Sequence, residues 1–257
     1  MKNTDKSRSK AAMQQHFEGA LPHLKQMKQQ TDKHAFNETL TRLLPGLRNY
    51  IGRRLSRAIR KGLMPKRKYR VNDFVDELYL LAYDHIEQLP SGDELRSWLF
   101  EQADQLLDRT ISTEEFNKSF MEHVDSYSKL EWEEMQEKFT ADADGDLIME
   151  EELDDPSYPK HDYSLEDVFV EDKEKSLLEK LNKELTAEEI HQHIDMVLHQ
   201  LPLQVQAIFE LATQQHFEPE EIARIRNLSV EEVEKHLADA RKFIRISFEK
   251  RFLLSKI

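Results

Sequence analysis

Ser91 and Glu94, Ser112 and Glu115, Thr186 and Glu189, and Ser229 and Glu232 share one arrangement, a hydroxyl three residues ahead of a carboxylate. In this arrangement the hydroxyl and the carboxylate each satisfy a backbone N–H that the first turn of a helix leaves without a partner, so each pair marks a helix start. Apolar residues at three- and four-residue steps follow, as in Val233, Leu237, Ala240 and Ile244 behind Ser229. No stretch alternates at period two for long enough to make a strand, and no internal repeat is evident. Six glycines in 257 residues leave little for tight hairpins or Gly-rich phosphate loops. The chain is predicted to be all-α.

The helices group into two small domains. With 34% charged and 39% hydrophobic residues, the apolar material suits small bundles better than one thick core. Residues 1–35 form an N-terminal extension, polar and basic, with a frayed helix over 11–30 and no assigned function. The first domain covers 36–138. Phe36, Leu40, Leu43, Leu44, Leu47, Ile51 and Leu55 keep helical spacing, and Pro45-Gly46 kinks or splits the run. A helix over 72–85 follows, Leu89-Pro90 stops it, and Ser91 and Ser112 each open another. Residues 139–180 read as an acidic linker. The second domain, 181–257, contains a helix-turn-helix outline, with Ile222, Ala223, Ile225 and Leu228 forming the short first helix and turn.

Charge is segregated. Residues 122–175 hold twenty Asp and Glu against five Lys, a net of −15, so the rest of a chain of net charge −13 sums to +2. Residues 42–70 contain eleven Lys and Arg and no acid, a stretch that attracts DNA phosphates or acidic protein surfaces. The absence of cysteine excludes disulfides and thiolate chemistry and suits a reducing compartment. No apolar run is long enough for a membrane span, and the first ten residues lack the apolar core of a signal peptide, so a cytoplasmic location is expected.

Two segments carry a family resemblance. "LPLQVQAIFELATQQHFEPEEIARIRNLSVEEVEKHLADARKFIR" resembles the promoter-binding region 4 of the sigma-70 family of RNA polymerase sigma factors. Leu201-Pro202, Ile208-Phe209, Glu221-Ile222-Ala223, Leu228-Ser229, Val233, Leu237 and Ala240-Arg241 carry the match. "DFVDELYLLAY" resembles the family's region 2.2, an acid-rich helix that docks on the clamp subunit of the polymerase, and "LRSWLF" resembles the next helix of that domain. Two such domains joined directly by a linker resemble the compact extracytoplasmic-function group.

The resemblance implies core RNA polymerase and promoter DNA as partners, an anti-sigma factor as a further candidate, no cofactor, and no catalytic or metal-binding residue. Asp73, Asp76 and Glu77, at i, i+3 and i+4 on one helix face, become the polymerase contacts. Arg96, Arg109 and Lys118 become contacts to the downstream promoter element, and the turn "EQLPSGDE" takes the place of the family's base-capturing loop. In the helix-turn-helix the DNA contacts fall on Glu232, Lys235, His236, Arg241, Lys242 and Arg245. Glu232 has a structural role too, as the partner of Ser229, although a glutamate can also accept a hydrogen bond from cytosine N4.

The chain departs from the family at Glu234, His236 and Asp239, where basic or small polar residues are usual. Acids at Glu234 and Asp239 would repel phosphate, which implies weak upstream promoter affinity, an unusual promoter element, or DNA contact only when the polymerase supplies the rest. The alternative reading is a diverged interaction protein that binds polymerase or a regulator without reading DNA. "TADADGDLIMEEE" echoes a calcium loop, with Gly145, Asp142, Asp144 and Glu151 in register, but Thr140 stands where the first Asp is needed. His191 and His193 are two apart and point to different faces, a poor metal pair. His191 with Asp195 reads as a surface pair.

Overall fold

In the computed structural model, residues 3–125, 163–169 and 175–253 are described, and all their regular elements are helical. The fold is all-α. The chain divides into two compact units, one spanning Gln14–Tyr158 and the other built mainly from Pro159–Ile257. The calcium-loop echo at residues 140–151 lies outside the described residues.

Among the described residues, five helices build the first unit: α1 (Asn3–Gln29) from Gln14 onward, α2 (Lys33–Thr41), α3 (Pro45–Arg60), α4 (Val71–His85) and α5 (Gly92–Asp125), with a 3-10 turn at Ile86–Gln88. Pro45 splits the 36–55 run into α2 and α3, since it lacks an N–H and suits the first position of a helix. Asp32 accepts from the Ala35 N–H at 3.0 Å and starts α2. The apolar positions Phe36, Leu40, Leu44, Leu47, Ile51, Leu55 and Leu78 are all buried. At the centre, Arg54 is buried on α3 and held by Asp104 and Asp108 of α5, while the Tyr50 hydroxyl donates to Asp104 at 2.6 Å.

Two expectations change here. The unit begins at Gln14, not at residue 36, because Phe17, Leu21 and Leu24 of α1 are buried. Ser112 does not start a helix, and α5 runs through it for 34 residues. Leu107, Ile111 and Glu114 stay buried on one stripe across that point. The hydroxyls of Thr110 and Thr113 donate to the carbonyls of Leu106 and Arg109, both at 2.8 Å, inside the continuing helix.

The second unit contains α6 (Leu165–Val168), α7 (Lys175–Glu184), α8 (Ala187–Gln200), α9 (Leu203–Thr213), α10 (Pro219–Arg226) and α11 (Val230–Phe248), with a π turn at Glu249–Leu253. It starts earlier than residue 181, because Tyr163, Leu165, Val168 and Phe169 from the expected linker are buried. Ser164 and Asp167 cap α6, and Arg241 Nε donates to the Asp167 carbonyl at 3.2 Å. His191 is taken up locally: its Nδ1 accepts from the Tyr163 N–H at 3.2 Å, and the two rings stack.

His193 on α8 is 3% exposed and lies against the rings of Phe248 and Phe252. Arg251 can only donate, so it gives a hydrogen to Nδ1 at 3.2 Å; Nε2 then carries the imidazole proton and donates to the Ser247 hydroxyl at 3.0 Å. The ring is therefore neutral. Burial, and then the Arg251 charge, push His193 down from 6.5 to about 4. A histidine with a depressed folded value binds protons mainly when unfolded, so its contribution is complete above pH 6.5 and is lost as pH falls toward 4. Urea melts of the second unit at pH 7 and pH 5 should differ by about 1–2 kcal/mol from this group. His193→Phe should remove most of that difference, and an equal pH dependence in the variant would refute the assignment.

Candidate functional site

Two exposed surfaces, one on each unit, carry most of the residues singled out from the sequence. On the first unit, Asp73, Asp76 and Glu77 are all exposed on one face of α4. Their situations differ. Asp73 Oδ2 accepts from the Arg70 N–H at 2.8 Å and caps the helix, whereas Glu77 accepts from Arg109 of α5 at 3.1 Å. Asp76, between them in sequence, faces outward. An exposed pair such as Glu77 and Arg109 is worth about 0–1 kcal/mol and opens readily. Leu80, three residues beyond Glu77, is 70% exposed. An uncovered leucine therefore stands beside three acids on this face.

The promoter contacts assigned to the first unit separate in the same way. Arg96 is withdrawn from that set: it is 2% exposed, and its guanidinium lies over the Phe100 ring, 5.8 Å from the centroid. Arg109 is exposed, but it is engaged with Glu77, while Lys118 Nζ donates to the Gly62 carbonyl at 3.2 Å. The "EQLPSGDE" turn is covered by α1. Gly92 N–H donates to Glu18 Oε1 at 2.8 Å, Lys25 donates to the Leu89 carbonyl at 2.7 Å, and Gln14 donates to Asp93 at 3.2 Å. Nothing in the sequence of α1 pointed to this cover except the i, i+4, i+7 spacing of Phe17, Leu21 and Leu24.

On the second unit, α10 and α11 form a helix-turn-helix. Pro219 opens α10, and Asn227 ends it in the left-handed region at φ 51°, a conformation that asparagine tolerates better than most residues. Ser229 then caps α11: its hydroxyl accepts from the Glu232 N–H at 3.2 Å, and Glu232 Oε2 accepts from the Ser229 N–H at 2.9 Å. The Ser229 backbone N–H, and then its hydroxyl, hold the Glu232 carboxyl below the usual carboxylate range. Val233, Leu237, Ala240, Ile244 and Phe248 are buried, and α11 packs on α8, α9 and α10. The outward face begins with Glu231, Glu232, Glu234 and Lys235, continues through Asp239, and ends with Lys242 and Phe243; His236 and Arg245 are half-buried beside it. Arg241 is bound to the Asp167 carbonyl, and burial pushes its guanidinium down. It is a clasp on α6 in this arrangement.

Among the described residues, no group of His, Asp and Glu could hold a metal ion, and no helix is long and apolar enough to cross a membrane. No curated protein and no solved structure matches the chain. One family model does match, and the family it describes is a transcription domain rather than an enzyme family. It falls on the helices just built: residues 191–244, from within α8 through α9 and α10 to Ile244 of α11, match sigma-70, region 4.

Proposed function

We propose that this chain is a cytoplasmic sigma factor of the compact, extracytoplasmic-function-like kind. It binds core RNA polymerase, directs it to promoters and carries no catalytic residue. The observation that supports this reading is the coincidence of the region 4 match with a helix-turn-helix whose turn and cap are both formed by side chains suited to them. In this reading the α4 face meets a basic surface of the polymerase, with Asp76 and Glu77 supplying charge, Asp73 shared with its capping role, and Leu80 as the apolar anchor. Lys235, Lys242 and Arg245 of α11 meet promoter phosphates, His236 lies near the bases, and Arg109 and Lys118 serve the downstream element. An anti-sigma factor would compete for the same α4 face.

Co-purification with core RNA polymerase tests this. The wild type should be retained, and Glu77→Lys should lose roughly tenfold or more in affinity, because it reverses a contact charge and sets a lysine against Arg109. Leu80→Glu should weaken binding similarly without unfolding the unit, since Leu80 is exposed. Failure of the wild type to bind polymerase would end the sigma reading.

A second reading has its own support. Glu231, Glu234 and Asp239 are exposed on the helix that would enter the groove, and Phe243 on the same helix is 58% exposed. Such a face suits a protein partner better than phosphates. Retained polymerase binding, with no protection of promoter DNA by the holoenzyme, would favour it.

A further inference from the structure

The eleven basic residues of the 42–70 stretch do not form one surface. Arg42 pairs with Glu38, Arg54 is buried among Asp104 and Asp108, and Arg57 is buried. Lys68 Nζ reaches Glu114 Oε1 at 2.7 Å. What remains outward between α3 and α4 is Lys66, Arg67 and Arg70, all exposed and, among the described residues, with no ion pair from their side chains to an acid.

The loop that presents them is built to hold its shape. Tyr69 donates to the same Glu114 oxygen as Lys68, also at 2.7 Å, and Met64 is buried beneath the segment. Lys118 ties the Gly62 carbonyl, and the Arg70 N–H is fixed by Asp73. Lys68, and then Tyr69, hold the Glu114 carboxyl below its usual range, so the acid that reaches into the loop is already consumed. Lys61, at the loop entrance, is pushed down by burial and then by the neighbouring Arg57 charge. Arg67 sits at φ 63°, in the left-handed region that costs a non-glycine residue energy.

The chemistry of the patch separates two kinds of partner. Protein interfaces depend on apolar or aromatic anchors, as the α4 face with Leu80 provides, whereas binding to a phosphate backbone needs cations and no anchor. None of the exposed large hydrophobic residues lies in the 61–70 loop. Phe116, on α5, is two residues from both Glu114 and Lys118 and so projects from another side of that helix.

We propose that Lys66, Arg67 and Arg70 form a docking surface for the phosphate backbone of duplex DNA. The loop fixes the backbone that carries the three cations, so only their side chains are ordered when the DNA backbone arrives. It positions DNA without reading sequence. The assignment rests on the charge and geometry of this loop and not on the reading of the chain as a sigma factor.

The test is fluorescence anisotropy of the full chain with two labelled duplexes of unrelated sequence, over a salt series from about 50 to about 300 mM. Three proteins are compared: wild type, Lys66→Gln/Arg67→Gln/Arg70→Gln, and Lys235→Gln/Lys242→Gln on α11. The loop variant should bind both duplexes more weakly, with the slope of log K against log salt shallower by about 2–3. A thermal melt matching wild type excludes unfolding as the cause. An unchanged slope in the loop variant overturns the proposal, as does a wild type that binds neither duplex. If the loop variant keeps its DNA slope but loses binding to polyglutamate, the surface takes an acidic protein and the DNA assignment is wrong. A loss in the loop variant alone would leave the loop assignment standing while removing the recognition-helix contacts of the sigma reading.

Discussion

Replacing Asp104 with alanine is expected to cost the first unit about 3–5 kcal/mol, seen as a lower urea midpoint with an unchanged slope. The substitution removes the partner that faces Arg54 inside the α3–α5 interface, where both side chains are almost fully buried. Burial opposes the guanidinium charge, and Tyr50, Asp104 and Asp108 together outweigh it, so Arg54 stays charged well above its ordinary value. Without Asp104 that charge keeps the half-exposed Asp108, and the Tyr50 hydroxyl loses its acceptor. The double variant Arg54→Met/Asp104→Leu should lie within about 1–2 kcal/mol of wild type, because two matched apolar groups carry no desolvation penalty. A single variant as stable as wild type would show that Arg54 escapes to solvent, contrary to the packing described.

Gly92→Ala should be the next most damaging change. A β-carbon there would lie 2.3 Å from the Glu18 backbone nitrogen and 2.5 Å from the Phe17 carbonyl carbon, so α1 would have to move. Backbone atoms cannot swing aside as a side chain can, and a cost of about 2–3 kcal/mol follows from overpacking of this kind. The loss should concentrate in α1. Hydrogen exchange should show faster exchange of amides in residues 14–29 while α3 and the middle of α5 keep theirs. Equal loss of protection across the whole unit would contradict a local contact between α1 and the α4–α5 turn.

Much of the fold was legible because it rests on local rules. Ser91, Thr186 and Ser229 stand with their glutamates at helix starts, and Pro45 divides the helices as its missing N–H requires. Ser112 failed because a capping pair works only where the apolar stripe begins, and here the stripe from Leu107 to Ile111 was already running. The packing of α1 and of Tyr163–Phe169 was missed for another reason. Their few apolar residues stand among charges, and only tertiary contact shows that these few suffice. Arg96 illustrates the limit for the site. The family resemblance placed it with DNA contacts, but the helix stripe Arg96, Phe100, Ala103 and Leu107 turns it inward. Asp73 and Glu232 show the converse, since residues read as contacts also start the helices that carry them.

Helix α5 gives the first unit a single ruler. Gly92 near one end receives α1, Asp104 takes Arg54 of α3, Arg109 meets the acidic face of α4, and Glu114 fixes the basic loop. On a helix that rises about 1.5 Å and turns about 100° per residue, these four stations have fixed heights and bearings. One residue inserted between Asp104 and Glu114 would swing the basic loop's anchor by about 100° while leaving the buried Arg54 pair in place. Length in this helix is therefore far less tolerant than composition. Exposed positions such as Gln105 and Ser112 can change freely, but insertions and deletions between the stations would separate the acidic face from the basic loop.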